Sequence, residues 1–376
     1  MRGEFSNTMA WFRSDHVGSF LRPEKLLAAR SSSNPEELRN LEDACILEVL
    51  AKQKEAGLQI FTDGEFRRRN FMSDFVDAVA GVDTGHEAGG YRWQHAATFK
   101  DKASGIAGIA TNRIVPRRRM TSHEVPFLLA NSPGAAKITL PSSTQFPMLL
   151  FQPGVTDRVY ANRSELLADV AAIVSAEVAA LAREGLRYIQ IDAPRYSWYI
   201  DPKWREKLRA DTGMEPGQAL DEAIAADNLA FDAARAASGA DGQVLAIHLC
   251  RGNNRGNWYA EGGYDAIAEK LFSSLRADRF LLEYDDERSG SFEPLRFVPK
   301  GKTVVLGLVS TKRPELERSE DLLKRIDRAA KVVPLENLAL SPQCGFASVA
   351  EGNPVTEEVE WAKIRLVVDI ARQVWQ

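Results

Sequence analysis

The residues best suited to binding a metal ion lie in three short segments of the chain. His248 and Cys250 are two residues apart, Glu283 ends an apolar run, and Cys344 stands just before a glycine. Thiolate, imidazole and carboxylate donors in a tetrahedral array suit Zn²⁺. A His-x-Cys pair alone is more often an incidental pair in a core, so the prediction of a zinc site depends on Cys344 joining it from elsewhere in the fold.

Two acidic residues also follow apolar runs. Glu65 lies in the segment Asp63-Gly64-Glu65, and Asp192 ends the run that precedes Pro194. Either acid could line a binding site, but each also has a structural explanation. Glu65 could pair with a neighbouring arginine on the surface, and Asp192 could act as a turn former, a common role of Asp beside proline.

The elements that must position these residues alternate along the chain. Eight short β-branched or apolar runs predict strands; they are His16–Phe20, Leu58–Thr62, Lys137–Leu140, Tyr188–Asp192, Val244–Leu249, Phe280–Glu283, Thr303–Leu308 and Leu338–Ser341. Amphipathic patterns predict helices between most of them; they are Pro35–Ala56, Ser164–Glu184, Pro216–Ala237, Tyr264–Leu275, Ser319–Val332 and Thr356–Val374. Ser319 has the character of an N-cap for its helix.

This alternation predicts an α/β fold, a (β/α)₈ TIM barrel, because strands that alternate with helices pair in parallel and eight such units close a barrel. The alternative is an open doubly wound sheet, but no G-x-G-x-x-G follows any predicted strand and no P-loop is present. Residues 76–135 lack a clean period and predict an insertion between the second and third strands, either a hairpin or lid over the barrel mouth or a packed excursion. We expect residues 1–376 to form one domain.

Functional side chains of such barrels lie at the carboxyl ends of the strands and in the loops that follow. His248, Cys250, Glu283 and Cys344 all occupy such positions in the predicted order of elements. They should therefore meet at one mouth of the barrel.

Composition narrows the classes of protein. The chain has 376 residues, 44% hydrophobic and 27% charged, with a formal net charge of −4. These values predict a soluble globular protein and argue against nucleic-acid binding, which needs a basic surface. No run approaches the ~20 apolar residues of a membrane span, and Met1 to Met9 do not resemble a signal peptide, so we expect a cytoplasmic protein that does not bind membranes. Three cysteines cannot build a disulfide framework, and the oligomeric state is open, with a homo-oligomer as one option.

A resemblance to a known family rests on several ordered motifs at these strand ends. They are His16-Val17-Gly18-Ser19-Phe20, Asp63-Gly64-Glu65-Phe66-Arg67-Arg68, Gln190-Ile191-Asp192-Ala193-Pro194, His248-Leu249-Cys250 and Ser341-Pro342-Gln343-Cys344-Gly345-Phe346. Together they resemble the catalytic domain of cobalamin-independent methionine synthase, and more closely its single-barrel, methionine synthase II-like bacterial members. The resemblance covers nearly the whole chain, without the second barrel of the larger members.

The resemblance implies roles for individual residues. His248, Cys250 and Cys344 match zinc ligands of the family, and Glu283 matches an exchangeable carboxylate ligand. The remaining matches are substrate-binding positions. By this resemblance, Glu65 and Asp192 would bind the ammonium group of homocysteine, and the backbone around Ser19 would bind its carboxylate.

Departures from the family pattern fall on the side of the methyl donor. The full-length enzymes read Asp-Glu-Pro where this chain reads Asp192-Ala193-Pro194, and the third strand is followed by a different sequence, Leu140-Pro141-Ser142-Ser143. The family places a proton-donating His near the seventh strand, where this chain runs from Gly307 to Lys312. Either Lys312 acts as the catalytic residue in its place, together with Asp192, or the donor differs.

The expected function is therefore that of a zinc-dependent thiol methyltransferase. A homocysteine-like thiol would attack a methyl donor, with 5-methyltetrahydrofolate implied by the resemblance. One alternative keeps the zinc and changes both partners, as in epoxyalkane:coenzyme M transferases, although two carboxylates would repel a sulfonate. Further alternatives are a metal-free lyase resembling uroporphyrinogen decarboxylase and a non-catalytic metal or metabolite binder.

Overall fold

The structure is a computed structural model, and it describes residues 12–31, 34–85, 108–238 and 243–375. The strands in these ranges are β1 (Ile60–Phe61), β2 (Val79–Asp83), β3 (Ile109–Pro116), β4 (Ala135–Pro141), β5 (Tyr188–Asp192), β6 (Val244–Leu249), β7 (Arg279–Glu283), β8 (Thr303–Val309) and β9 (Leu338–Pro342). The α-helices are α1 (Glu24–Ala29), α2 (Pro35–Glu55), α3 (Ser73–Ala78), α4 (Val125–Asn131), α5 (Pro147–Leu150), α6 (Arg163–Arg183), α7 (Ser197–Ile200), α8 (Pro202–Thr212), α9 (Pro216–Ser238), α10 (Ala268–Ser274), α11 (Ser319–Ala330) and α12 (Glu357–Trp375).

Seven of the described strands form one parallel sheet in the order β1-β4-β5-β6-β7-β8-β9, so seven of the eight predicted strands are confirmed with small shifts at their ends. The sheet is curled, and its concave side is filled by side chains that alternate along the strands, such as Tyr188, Ala246 and Leu281. The opposite face packs against helices. The α/β architecture is therefore confirmed and is TIM-barrel-like.

The predicted first strand, His16–Phe20, is not formed. The chain makes one isolated parallel bridge there, between Ser14 and Leu340 of β9, and the Asp15 amide donates to the Leu340 carbonyl at 2.9 Å. On its other side, the Thr62 hydroxyl donates to the Gly18 carbonyl at 2.7 Å. Gly18 has a φ of +148°, which interrupts the extended backbone that a ladder needs. An irregular segment thus contacts both edge strands where an eighth strand was predicted.

A group of buried charges lies inside the sheet below the rim. Asp15 accepts hydrogen bonds from the Lys137 ammonium at 3.0 Å and the Tyr188 hydroxyl at 2.7 Å, and Arg279 lies 3.5 Å away. Burial raises the pKa of Asp15, but Lys137 and Arg279 outweigh burial and bring it to about 2. Each buried charge therefore has an opposite charge beside it.

The predicted insertion contains an antiparallel hairpin of β2 and β3, which starts with Val79 opposite Pro116. The hairpin prediction is confirmed for the described part of this segment. Residues 86–107, which include Tyr91, Trp93 and Phe99, lie outside the described residues. A lid function stays a prediction.

Two helix predictions differ from the structure. The segment Tyr264–Leu275 begins with a 3₁₀ turn and becomes α-helical only at Ala268. Helix α11 begins at Ser319 and is preceded by Arg318, so Ser319 is its first residue and not its N-cap. Among the described helices, none has the length and apolar character required to cross a membrane.

Candidate metal centre and its cleft

Three of the predicted metal ligands meet at one rim of the sheet. His248 lies in β6, and Cys250 is the first residue after that strand. Side chains two residues apart along a strand point to the same face. Cys344 comes two residues after β9. The curl of the sheet brings the two loops together, and one donor atom from each of these three residues lies within 4.8 Å of the others.

The loops that carry the two cysteines are fastened to each other. The side-chain amides of Asn253 and Asn353 both donate to the Gly345 carbonyl at 3.3 Å, and each also contacts the Thr311 hydroxyl. Because Asn253 lies three residues after Cys250 and Gly345 follows Cys344, these contacts fix the separation of the two thiols.

The donor set fits a zinc ion. All three residues are buried, and neither ring nitrogen of His248 has a hydrogen-bond partner. A buried polar atom without a partner is costly, so an imidazole in this state is expected to have a ligand. Two thiols and one imidazole are the donors of many zinc sites that keep a fourth position for substrate.

The electrostatics of the cluster favour a thiolate. The contact with the Cys250 thiol lowers the pKa of Cys344 well below its usual value against the opposing effect of burial, and His248 lowers it further. The pKa of Cys250 is raised in return, first by the Cys344 sulfur and then by burial. Burial lowers the pKa of His248, but Cys344 and Asp192 raise it more. These opposite shifts favour ionisation of Cys344 over ionisation of Cys250.

Glu283 ends β7 beside this cluster but is not one of its three members. One carboxylate oxygen accepts from the Arg251 amide at 2.6 Å, and the other accepts from Lys312 at 2.6 Å and from Arg288 at 2.8 Å. Burial raises the pKa of Glu283, whereas Lys312, Arg288 and Arg251 lower it to about 2. Glu283 is thus a fixed carboxylate held by cations, and its role as a fourth ligand stays a prediction.

Lys312 has a different environment from the one expected of a proton donor in the cleft. Its ammonium contacts Glu283 and also lies 3.1 Å from Asp285. Burial lowers the pKa of Lys312, but these two carboxylates raise it above its usual value. The side chain is buried, and Lys312 is not among the residues that line the cleft.

The cluster opens into a cleft. Six predicted site residues line it; they are Ser19, Glu65, Asp192, His248, Cys250 and Cys344. Metal donors and acidic side chains thus face one common cleft.

Glu65 is held in a strained backbone conformation on the loop after β1. Its φ of +60° is uncommon for a residue with a side chain. The Glu65 amide donates to Asp63 at 2.9 Å, and Arg22 donates to the Glu65 carbonyl at 2.8 Å. In the carboxylate, Oε1 accepts from the Thr139 hydroxyl at 2.7 Å, whereas the buried Oε2 has no hydrogen-bond partner. One oxygen is thus fixed and the other is unused.

Asp192 ends β5 and pairs in register with His248 of β6. Its Oδ1 accepts from the Gln190 amide at 2.7 Å. Burial raises the pKa of Asp192 to about 7, and Glu65 contributes to the increase while His248 opposes it. Asp192 and Glu65 line the same cleft, so both acids face the space that a bound cation would occupy.

Ser19 is packed against the loop that carries Cys344. Its hydroxyl accepts from the Ala347 amide at 3.2 Å, and its carbonyl accepts from the Phe346 amide at 3.0 Å. A Cβ added at Gly345 would lie 2.0 Å from the Ser19 hydroxyl, so the loop requires glycine there. The contact explains why Ser19 and Cys344 face the same cleft.

Thr139 and Gln190, which support the two acids, are not predicted as site residues from the sequence. Gln190 belongs to one of the family-like motifs, and Thr139 belongs to none of them. The signal that could have identified them is the alternation of side chains between the two faces of a strand. In β4 and β5 this alternation places Thr139 and Gln190 on the concave face of the sheet.

Comparison with protein families agrees with this architecture. A model described as "Cobalamin-independent synthase, Catalytic domain" matches residues 14–373. Among curated proteins, the chain is 40% identical over 383 residues to the uncharacterized protein YxjH of Bacillus subtilis, covering 97% of this chain and 95% of that protein. It is 23% identical over 365 residues to the methionine synthase of Saccharolobus solfataricus, covering 91% and 94% of the two chains.

Solved structures agree as well. A putative vitamin-B12 independent methionine synthase from Listeria monocytogenes superposes with a TM-score of 0.71 at 28% identity, covering 97% of this chain and 98% of that one. A B12-independent methionine synthase from Shewanella sp. W3-18-1, solved in complex with selenomethionine, superposes with a TM-score of 0.72 at 19% identity, covering 96% and 97%. With the family model matching almost the whole chain, this protein belongs to the catalytic-domain family of cobalamin-independent synthases.

Proposed function

We propose that this protein is a zinc-dependent methyltransferase that transfers a methyl group to the thiol of a homocysteine-like amino acid. The observation that carries the proposal is the cluster of His248, Cys250 and Cys344, which opens into the same cleft as Glu65 and Asp192. Metal donors beside two acids suit a substrate that has a thiol at one end and an ammonium group at the other.

The residues of the cleft have separate tasks in this reaction. His248, Cys250 and Cys344 would hold the zinc ion, which when bound keeps a coordinated thiol deprotonated at neutral pH and so makes it a nucleophile. Glu65 and Asp192 bind and orient the ammonium group. Burial strengthens this ion pairing, because the cleft has a lower effective dielectric constant than water.

The methyl donor is proposed from the family. Several relatives carry the name methionine synthase, and one carries the name 5-methyltetrahydropteroyltriglutamate–homocysteine methyltransferase. In transfer from 5-methyltetrahydrofolate, the N–CH₃ bond breaks, the S–CH₃ bond forms, and the released nitrogen takes up a proton. Lys312 is a weak candidate for that proton, because its contacts with Glu283 and Asp285 favour the charged ammonium. We propose that Lys312 instead holds Glu283 in place.

The preference among thiols tests this proposal. Zinc-loaded protein is titrated in a calorimeter with homocysteine and with coenzyme M, whose sulfonate the two acids would repel. We expect homocysteine to bind at least about tenfold more tightly, and Glu65→Gln to reduce that preference, since it removes one negative charge from the cleft. Methionine formation from 5-methyltetrahydrofolate is measured on the same preparation. Preference for coenzyme M in the wild-type protein would exclude an amino-acid thiol as the substrate.

A further inference from the structure

Two neutral side chains lie side by side beneath the two acids of the cleft. Thr139 of β4 and Gln190 of β5 are partners in the register of the parallel pair. Both are buried, with exposed fractions of 2% and 0%. Each donates one hydrogen bond to a different acid, Thr139 to Glu65 and Gln190 to Asp192, both at 2.7 Å.

The direction of the bond from Thr139 is fixed by a third residue. Arg68 donates to the Thr139 hydroxyl oxygen at 2.9 Å and to the Thr139 carbonyl at 3.0 Å. A guanidinium can only donate, so the hydroxyl oxygen is an acceptor toward Arg68 and its single proton is available to Glu65. The threonine methyl group packs closely against Gly18, where an added Cβ would lie only 2.6 Å from it. The hydroxyl is thus aimed at Glu65 by contacts on both of its sides.

Gln190 is oriented in a similar way. Its amide nitrogen donates to the Val17 carbonyl at 2.7 Å as well as to Asp192. Both partners are acceptors, which identifies this end of the side chain as the NH₂ group. The two acids are therefore supported from below by donors on adjacent strands, one donor for each acid.

We propose that Thr139 and Gln190 are positioning residues that determine specificity for the ammonium group of the substrate. Each occupies one oxygen of its acid and turns the carboxylate so that the other oxygen faces the ligand. The unpartnered Oε2 of Glu65, buried at the cleft, is what this arrangement leaves for a cation. The inference rests on the proposed function and extends it to residues that need not touch the substrate.

The test compares two ligands that differ only in the amine. Homocysteine and 4-mercaptobutyrate share the thiol, the chain length and the carboxylate. Their dissociation constants are measured by calorimetry on the zinc-loaded wild-type protein and on Thr139→Val, which keeps the shape of the side chain and removes its hydroxyl. We expect the wild-type preference for homocysteine to fall roughly tenfold in the variant, the size expected for one lost hydrogen bond to a charged group. Affinity for 4-mercaptobutyrate should stay within about twofold, since that ligand has no ammonium group for Glu65 to bind.

Two further variants keep the test decisive. Thr139→Ser restores the hydroxyl and should recover the preference, which a purely structural role of the methyl group would not explain. Gln190→Met removes the donor to Asp192 and should lower the preference independently, so it carries the test if Thr139→Val does not fold. Zinc content is measured on every variant and should be unchanged, because neither side chain is a metal donor.

The outcomes separate this inference from the proposed function. An unchanged preference in folded, zinc-loaded Thr139→Val and Gln190→Met would overturn the positioning role and leave the thiol transferase intact. Equal binding of homocysteine and 4-mercaptobutyrate by the wild-type protein would instead overturn the ammonium site itself, and the positioning role with it.

Discussion

Replacement of Cys344 by serine is expected to lower the affinity for zinc by roughly a hundredfold or more, because one of the three protein donors is lost. Wild-type protein purified without chelator should contain about one zinc per chain. Cys344 is the thiol whose pKa is lowered, so it is the more readily ionised of the two. A serine hydroxyl does not ionise at neutral pH and cannot replace a thiolate ligand. Elemental analysis and competition with a chelator measure the loss.

Cys45→Ser is the matched control. Cys45 is a buried free cysteine on α2 and belongs to the apolar core, not to the cluster. This variant should keep its zinc even if it is less stable. Zinc retained in Cys344→Ser at wild-type affinity would contradict the role of this thiolate as a ligand. Zinc absent from the wild-type protein, even after reconstitution under reducing conditions, would contradict the metal site itself and favour a metal-free reaction such as decarboxylation.

Arg68→Met is expected to destabilise the protein by about 3–5 kcal/mol, the cost of removing one partner from a buried ion pair. The Arg68 side chain is buried, with an exposed fraction of 2%. Its guanidinium donates to both carboxylate oxygens of Glu124, at 2.8 and 2.7 Å, and its Nε lies 2.6 Å from the Asp74 carboxylate. Burial raises the pKa of Glu124, but Arg68 outweighs burial and keeps it below its usual value. Without the guanidinium, the buried carboxylates of Asp74 and Glu124 would lose their closest cation and keep the longer contacts with His123, at 3.4 and 3.8 Å. The free energy of unfolding is measured with denaturant.

The neighbouring arginine provides the control. Arg69 is also paired, with Asp77 at 3.0 Å, but its side chain is 71% exposed. Surface ion pairs contribute little, so Arg69→Met should cost less than about 1 kcal/mol. Equal stability of the two variants would contradict the large contribution assigned to the buried ion pairs of Arg68.

Most of the sheet could be predicted from the sequence, because buried parallel strands appear as short apolar runs separated by helical periods. His248 and Cys250 lie at the end of such a run, so they could be predicted to lie at the rim of the sheet. Cys344 could be assigned to the same metal site because the carboxyl ends of the strands of a barrel share one mouth. These inferences need only local pattern and the order of elements.

The rest depended on atomic geometry that a pattern does not contain. The segment at His16–Phe20 reads as a strand, yet the backbone at Gly18 prevents a ladder there. Glu283 has the right position for a ligand, but the cations that bind it come from loops whose paths the sequence does not specify. Thr139 is an ordinary β-former by type, and only its contacts with Glu65 and Arg68 indicate a role.

We propose that the substrate thiol is activated by direct coordination to a metal held by His248, Cys250 and Cys344. Zinc K-edge X-ray absorption on the loaded protein, with and without homocysteine, tests it most directly. We expect two sulfur neighbours of the zinc ion at about 2.3 Å in the resting protein and three when homocysteine is bound. An unchanged sulfur count at saturating homocysteine would contradict direct coordination of the thiol and identify the zinc site as structural.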